Sequence, residues 1–150
     1  MTIAEKIKSI TVIDIYKMLN KCASDLAEDI IGLNQDQLYE QGIIDTERPA
    51  HRERYAKSTI YQKKRYAQYP KTEFVTLRWE GYYYDSMKLE IFPVESPYFF
   101  QIIASNEIWK KYLSKNPRFE NAMGLTGKSI RIVRSKMKKL LMEKITDKFR

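Results

Sequence analysis

The sequence predicts an α+β fold in which a small antiparallel β-sheet is packed by a long N-terminal and a long C-terminal amphipathic helix. Apolar residues recur every three or four positions in residues 11–31 and again in residues 127–147, which is the period of a helix with one buried face. Residues 88–92 alternate instead between polar and apolar, which indicates a half-buried strand. With 150 residues, of which 43% are hydrophobic, the chain suits a single folded domain.

The first half of the chain is predicted to be mostly helical. The helix that covers residues 11–31 is expected to end near Gly32, because glycine commonly follows a last helical turn. Residues 34–57 lack a clear period and contain Gly42 and Pro49, so we expect an extended basic arm there, with isoleucines at 43 and 44 as local anchors. A short helix should then run from about residue 58 to 67, capped by Ser58 or Thr59.

The second half is predicted to contain the sheet and the closing helix. We expect three strands, pairing antiparallel, because the segments are rich in β-branched and aromatic residues; they cover residues 73–79, 88–92 and 98–104. A single helical turn should lie at 82–87 and a short helix at about 107–113. The C-terminal helix is expected to begin after Thr126, which is a suitable N-cap, and to reach about residue 147.

Charge is distributed unevenly along the chain, whose net charge is +8. Residues 1–47 carry −5, residues 48–66 carry +6, residues 67–127 are neutral and residues 128–150 carry +7. Such a chain could fold so that its ends neutralise each other, could stack head to tail on copies of itself, or could bind nucleic acid. Solvated helix faces on an ordinary protein would also account for the distribution.

Basic and aromatic residues are interleaved in the second of these segments and just beyond it. The residues that we expect to face DNA or a protein partner are Arg52, Arg54, Lys57, Lys63, Lys64 and Arg65. Tyrosines lie among and after them, and tyrosine both stacks on single-stranded bases and packs in protein interfaces. We favour interfaces, because no nucleic-acid motif accompanies the charge. The candidates for an apolar interface are Tyr82, Tyr83, Tyr84, Tyr98, Phe99 and Phe100.

Catalytic and metal chemistry find little support. A single cysteine and a single histidine exclude structural zinc sites and iron–sulfur clusters, which need several such ligands. Cys22 falls on the apolar side of the predicted N-terminal helix, so it is expected to be a buried thiol rather than the partner of His51 in a catalytic pair. We therefore predict a protein that is not an enzyme and that holds no metal or cofactor.

Two further motifs lack the residue spacing that their chemistry requires. Gly127-Lys128-Ser129 ends like a phosphate-binding loop, but the required glycine five residues earlier is Ala122. Asp85 and Glu90, with Glu73 and Glu80, could be read as a nuclease site for Mg²⁺, but their spacing does not support it. The longest uncharged stretch, residues 96–106, is eleven residues and too short to cross a bilayer.

Two segments resemble a pattern found in neck and tail-completion proteins of tailed bacteriophages, the Mu-type virion morphogenesis relatives and similar ring proteins of crAss-like phages. In residues 55–65, Ser58-Thr59-Ile60 and Lys63-Lys64 match a turn and basic helix of that family, although the family's proline is missing. In residues 75–89, Gly81 and the residues around it match a second pattern, with Glu80 where the family has threonine.

The resemblance covers about residues 50–92 and implies an architectural function. Copies of such proteins assemble into a ring in the virion, between the portal of the head and the tail, and DNA passes through the lumen. It implies that this chain is a structural subunit with three kinds of partner: itself, portal or neighbouring neck and tail proteins, and packaged DNA through non-specific contact. The alternative is a small basic DNA-binding accessory protein that uses residues 48–66 and 128–150, whose binding would weaken steeply with salt.

Overall fold

The computed structural model describes residues 2–93, 99–107, 111 and 115–150. Its helices are α1 (Ile3–Lys8), α2 (Val12–Asp25), α3 (Ala27–Tyr39), α4 (Lys57–Tyr66), α5 (Tyr82–Asp85) and α6 (Gly127–Lys148). Its strands are β1 (Met87–Ile91) and β2 (Phe100–Ala104), and a 3-10 turn covers Pro117–Phe119. The α+β class is confirmed. The helix predicted at 107–113 lies largely outside the described residues, and so does residue 98 of the strand predicted at 98–104.

Helix α2 begins at a reciprocal cap. The Thr11 hydroxyl accepts from the amide of Asp14 at 3.1 Å, and the Asp14 carboxylate accepts from the amide of Thr11 at 3.0 Å. This arrangement satisfies two backbone donors at the helix start. The second half of α2 then enters the core, where Cys22 and Ala23 are fully buried.

The prediction of one helix that ends near Gly32 is wrong. The helical path breaks at Leu26, whose φ of −97° and ψ of 7° separate α2 from α3, and α3 then continues through Gly32 to Tyr39. Glycine inside a helix costs roughly 1 kcal/mol relative to alanine. That cost is offset because the rest of α3 buries Ile30 and Leu38 completely. The arm predicted at 34–57 therefore begins only after α3 ends, and its isoleucines 43 and 44 are buried as expected.

The sheet has two strands in the described residues, not three. Strands β1 and β2 pair antiparallel with Leu89 opposite Ile102, and β1 alternates as predicted, with Lys88 and Glu90 outside. Residues 73–79 form no strand, because their backbone groups are bound elsewhere: the amide of Thr76 donates to the hydroxyl of Tyr55 at 3.0 Å. Strand propensity reflects side-chain packing rather than backbone preference, so other packing overrides it here.

Helix α6 closes the fold by packing antiparallel against α2 and α3. Two ion pairs show the direction: Lys144 reaches Asp25 at 2.8 Å and Lys136 reaches Asp29 at 2.7 Å. The predicted cap is confirmed, since the Thr126 hydroxyl accepts from the amide of Ser129 at 3.3 Å. On its inner face α6 buries Val133 and Met137, which join the hydrophobic core shared with α2, α3 and the sheet.

Candidate functional site

Five of the six basic residues predicted to face a partner are exposed: Arg52, Arg54, Lys57, Lys64 and Arg65. Arg52 donates to the carbonyl of Pro49 at 2.5 Å, and Arg65 donates to the hydroxyl of Tyr61 at 2.7 Å. None of the five pairs with a carboxylate in the described part of the chain. Their charge is therefore available to a partner.

Lys63 is the exception, and its prediction as a surface residue is wrong. The side chain is 0% exposed and lies between α4 and the segment around Thr76. Its ammonium donates to the Thr76 hydroxyl at 2.9 Å and to the Tyr55 hydroxyl at 3.3 Å, and lies 4.9 Å from the Tyr55 ring centroid. Burial lowers the pKa of Lys63, because desolvation disfavours the charged form. Lys63 therefore fastens α4 to the body of the protein.

The tyrosine cluster predicted as an interface is mostly core. Tyr82 is 62% exposed, but Tyr83 and Tyr84 are buried, so their assignment as interface residues is wrong. The Tyr84 hydroxyl donates to the carbonyl of Thr76 at 2.5 Å, and burial raises the pKa of both buried tyrosines. These rings became core because α5 turns two of its three tyrosines inward. Of the other candidates, Phe99 and Phe100 are half-buried, and Tyr98 lies outside the described residues.

Arg78, which the sequence did not single out, lies among three tyrosine rings. Its guanidinium carbon is 3.8 Å from the ring centroid of Tyr69, 4.7 Å from that of Tyr84 and 5.0 Å from that of Tyr39. Such cation–π contacts hold the guanidinium in one orientation. Its Nε is buried and has no hydrogen-bond partner within the described residues. Nothing in the local sequence indicates this cage, because its rings come from three separate segments.

Helix α6 displays a second basic surface, which we call the α6 stripe. It consists of Lys128, Arg131, Arg134, Lys138 and Lys139, all exposed and none paired with a carboxylate in the described residues. Lys128, Arg131, Lys138 and Lys139 lie away from Val133 and Met137, whereas Arg134 flanks that buried face, and at a rise of about 1.5 Å per residue the stripe spans about 16 Å. The charge of residues 128–150 predicts a basic helix, but only the fold separates these cations from Lys136 and Lys144. Lys136 pairs with a carboxylate of α3 and Lys144 with a carboxylate of α2.

The start of α2 exposes apolar side chains, among them Val12, Ile15 and Tyr16, which belong to the helical period that predicted a buried face. Val12 is 68% exposed and Ile13 is 58% exposed, and Ile15 and Tyr16 are also exposed. The fully buried residues of α2 lie further along the helix, at Cys22 and Ala23. A cluster of exposed apolar residues of this kind is typical of a surface that contacts another protein.

The catalytic and metal arrangements that the sequence could suggest are not assembled in the described residues. Cys22 is fully buried, whereas His51 is exposed and bonds to Glu53 at 3.1 Å. Glu90 accepts a hydrogen bond from Gln101, and no group of three or more metal-binding side chains occurs in the described residues. Gly127 and Lys128 simply begin α6. None of the described helices is long and apolar enough to span a membrane.

Comparison with protein-family models, curated proteins and solved structures found no match to this chain. The surfaces described above are therefore the basis on which its function is proposed.

Proposed function

We propose that this protein is a structural subunit that assembles with copies of itself around or beside DNA, as the resemblance to phage neck and tail-completion proteins implies. In the narrower form of the proposal, it is a ring subunit of the virion that joins portal and tail. The observation that carries the proposal is the α6 stripe, which offers unpaired positive charge along a rigid helix. A subunit that surrounds DNA needs such a surface together with a separate surface for its neighbour.

The α6 stripe suits the backbone of DNA rather than its bases. Its five cations lie on one side of a straight element and include only two arginines, so they favour phosphate contacts over base recognition. Non-specific contact of this kind holds DNA without reading its sequence, and a channel for DNA requires that property.

The exposed start of α2 supplies a surface for the neighbour. Val12 and Ile13 lose contact with water only if another molecule covers them, and burying an isoleucine or valine side chain is worth about 1.5–3 kcal/mol. Because the start of α2 and the α6 stripe are different surfaces of the same subunit, a head-to-tail contact could repeat around a ring and leave the stripe free.

The proposal of a ring subunit in the virion is tested by mass spectrometry of purified particles of the virus whose genome encodes this chain. We expect the chain at a fixed, low copy number relative to the major capsid protein. Absence of the chain from the particles would refute a neck function.

In the purified protein, light scattering after size exclusion tests self-association: V12D/I13D should shift assembled species toward monomer, whereas Y66S, which changes an equally exposed ring on α4, should not. Equal effects of both variants would count against the α2 surface.

The same stripe also supports the alternative, a DNA-binding accessory protein without a ring. That protein would bind duplex DNA as a monomer, with a slope of log K against log salt of roughly −4.5 if all five cations contact phosphates. Replacing Lys128, Arg131 and Arg134 with glutamine should reduce the slope by roughly 3. The matched control replaces Lys8, Lys17 and Lys21 with glutamine; these exposed cations lie outside residues 48–66 and 128–150, and the slope should stay unchanged. Tight DNA binding by a monomer that is missing from particles would favour this alternative.

A further inference from the structure

A cavity of about 360 Å³ opens beside the first turn of α4. Its charged and polar lining comes from Arg54, Arg78, Arg118 and Thr59, and its aromatic lining includes Trp79 and Phe119. Three arginine residues from three separate segments therefore contribute to the lining of one cavity. No carboxylate is among the residues that line it. Such a concentration of one charge predicts an anionic ligand.

The start of α4 borders this cavity, whose lining includes Ala56 and Thr59. The N-cap residue is Ala56, which has no side chain that can accept a hydrogen bond from the first turn. The amides of Lys57, Ser58 and Thr59 have no hydrogen-bond partner in the described residues. Helices α2 and α6, by contrast, are capped by threonine side chains. Free amides at a helix start bind anions, and the helix dipole adds to the attraction.

The arginines differ in how they are held. Arg78 is fixed by the Tyr69 ring at 3.8 Å, and its buried Nε has no partner within the described part of the chain. One terminal nitrogen of Arg118 donates to the Glu53 carboxylate at 3.0 Å. This ion pair orients the guanidinium and neutralises part of its charge. Arg54 is exposed and has neither a hydrogen bond nor an ion pair among the described residues. Arg54 is thus the side chain that is free to close on a ligand.

We infer that this cavity binds a phosphate group carried on a planar or apolar body. Three arginine residues and the uncapped start of α4 offer more donors than a carboxylate can use, whereas a terminal phosphate has three acceptor oxygens. The rings of Trp79 and Phe119 give the body a surface for stacking. The phosphate could belong to a free nucleotide or to the end of a nucleic acid chain, and both share this chemistry. The inference goes beyond the proposed function and does not depend on it.

Amide NMR of the full chain tests the inference at the residues concerned. The probes are orthophosphate, adenosine 5′-monophosphate, and a short single-stranded oligonucleotide with and without a 5′-phosphate. We expect saturable shifts of the amides of Lys57, Ser58 and Thr59 with the monophosphate. The 5′-hydroxyl oligonucleotide should bind more weakly than its phosphorylated form. Saturation by the phosphorylated oligonucleotide at a lower concentration than by the monophosphate would identify a nucleic acid end as the source, and the reverse order would identify the free nucleotide.

Matched arginine variants separate the cavity from general surface charge. R54A should weaken monophosphate binding about tenfold or more, which is the loss expected for one charge-assisted hydrogen bond. R65A removes the same charge from the far end of α4, outside the cavity, and should leave the affinity within about twofold of the wild type. The inference is overturned if no probe gives saturable shifts at the start of α4, or if R54A and R65A weaken binding equally.

Discussion

Replacing Lys63 with methionine should stabilise the protein at neutral pH. The side chain is 0% exposed, and its ammonium contacts two neutral hydroxyls and a ring but no carboxylate within 4.0 Å in the described residues. Methionine has a similar length and shape, so the packing of the stem is kept. The hydroxyls of Tyr55 and Thr76 keep each other as partners at 3.3 Å, so neither becomes unsatisfied.

The magnitude follows from opposing contributions. Burying an ammonium costs several kcal/mol, while hydrogen bonds to a charged group contribute about 1.5–3 kcal/mol each. The pKa of Lys63 is lowered because desolvation of the ammonium outweighs these contacts. The charged form, relative to the neutral form, is therefore less stable in the fold than in water. We therefore expect K63M to raise the free energy of unfolding by about 1 kcal/mol at pH 7.

The advantage of K63M should shrink as pH rises. Because the pKa of Lys63 is lower in the folded state, the unfolded chain binds more protons between the two pKa values, and the stability of the wild type rises with pH in that window below 10.5. Urea unfolding at pH 7 and pH 9.5 measures the difference. K64M, which changes the exposed neighbour, should alter stability by less than about 0.5 kcal/mol at either pH. A loss of more than about 1 kcal/mol in K63M at pH 7, or a difference that does not change with pH, would refute the reasoning.

Three further outcomes are expected from urea unfolding. G32A should raise the free energy of unfolding by about 0.5–1 kcal/mol, because an added Cβ meets nothing within 4 Å inside α3. G42A should lower it by more than about 2 kcal/mol, because φ is +66° and the Cβ would lie 2.4 Å from the Phe74 ring. The same sign of change in both variants would contradict this explanation of the two glycines. Q37L should cost about 1–3 kcal/mol, since it leaves the Thr126 amide without its acceptor at 3.0 Å, although the Gly124 carbonyl, which loses Gln37 at 2.9 Å, keeps Asn34 at 2.8 Å. An unchanged stability would show that this buried network is dispensable. Stability should be full above about pH 5 and fall as the solution is acidified further, because paired carboxyls have lowered folded-state pKa values and must be protonated. The carboxyls are Asp14, Asp25, Asp45 and Glu53. A curve that stays level down to about pH 2.5 would argue against it.

The candidate surfaces were only partly predictable. Exposed cations such as Arg54 follow from composition and local pattern, but Lys63 lies among them in sequence and is buried, because one side of α4 faces Thr76. Tyr83 and Tyr84 differ from Tyr82 only in the direction in which a single helical turn presents them. The cavity beside α4 could not be anticipated at all, since its three arginines are separated by at least 24 positions along the chain.

By itself, the sequence determined the features that depend on neighbours along the chain. These are the period of α2 and α6, the alternation of β1, the cap at Thr126 and the division of charge between segments. The tertiary structure decided which distant residues are in contact. It produced the helix break at Leu26 and the absence of a strand at 73–79, and it paired Lys136 with Asp29 and Lys144 with Asp25 while the cations of the α6 stripe stayed unpaired in the described residues. Local periodicity reports how a segment would hydrogen-bond and bury one face alone. Contacts between distant segments add energies of the same few kcal/mol, so they determine which local preferences survive.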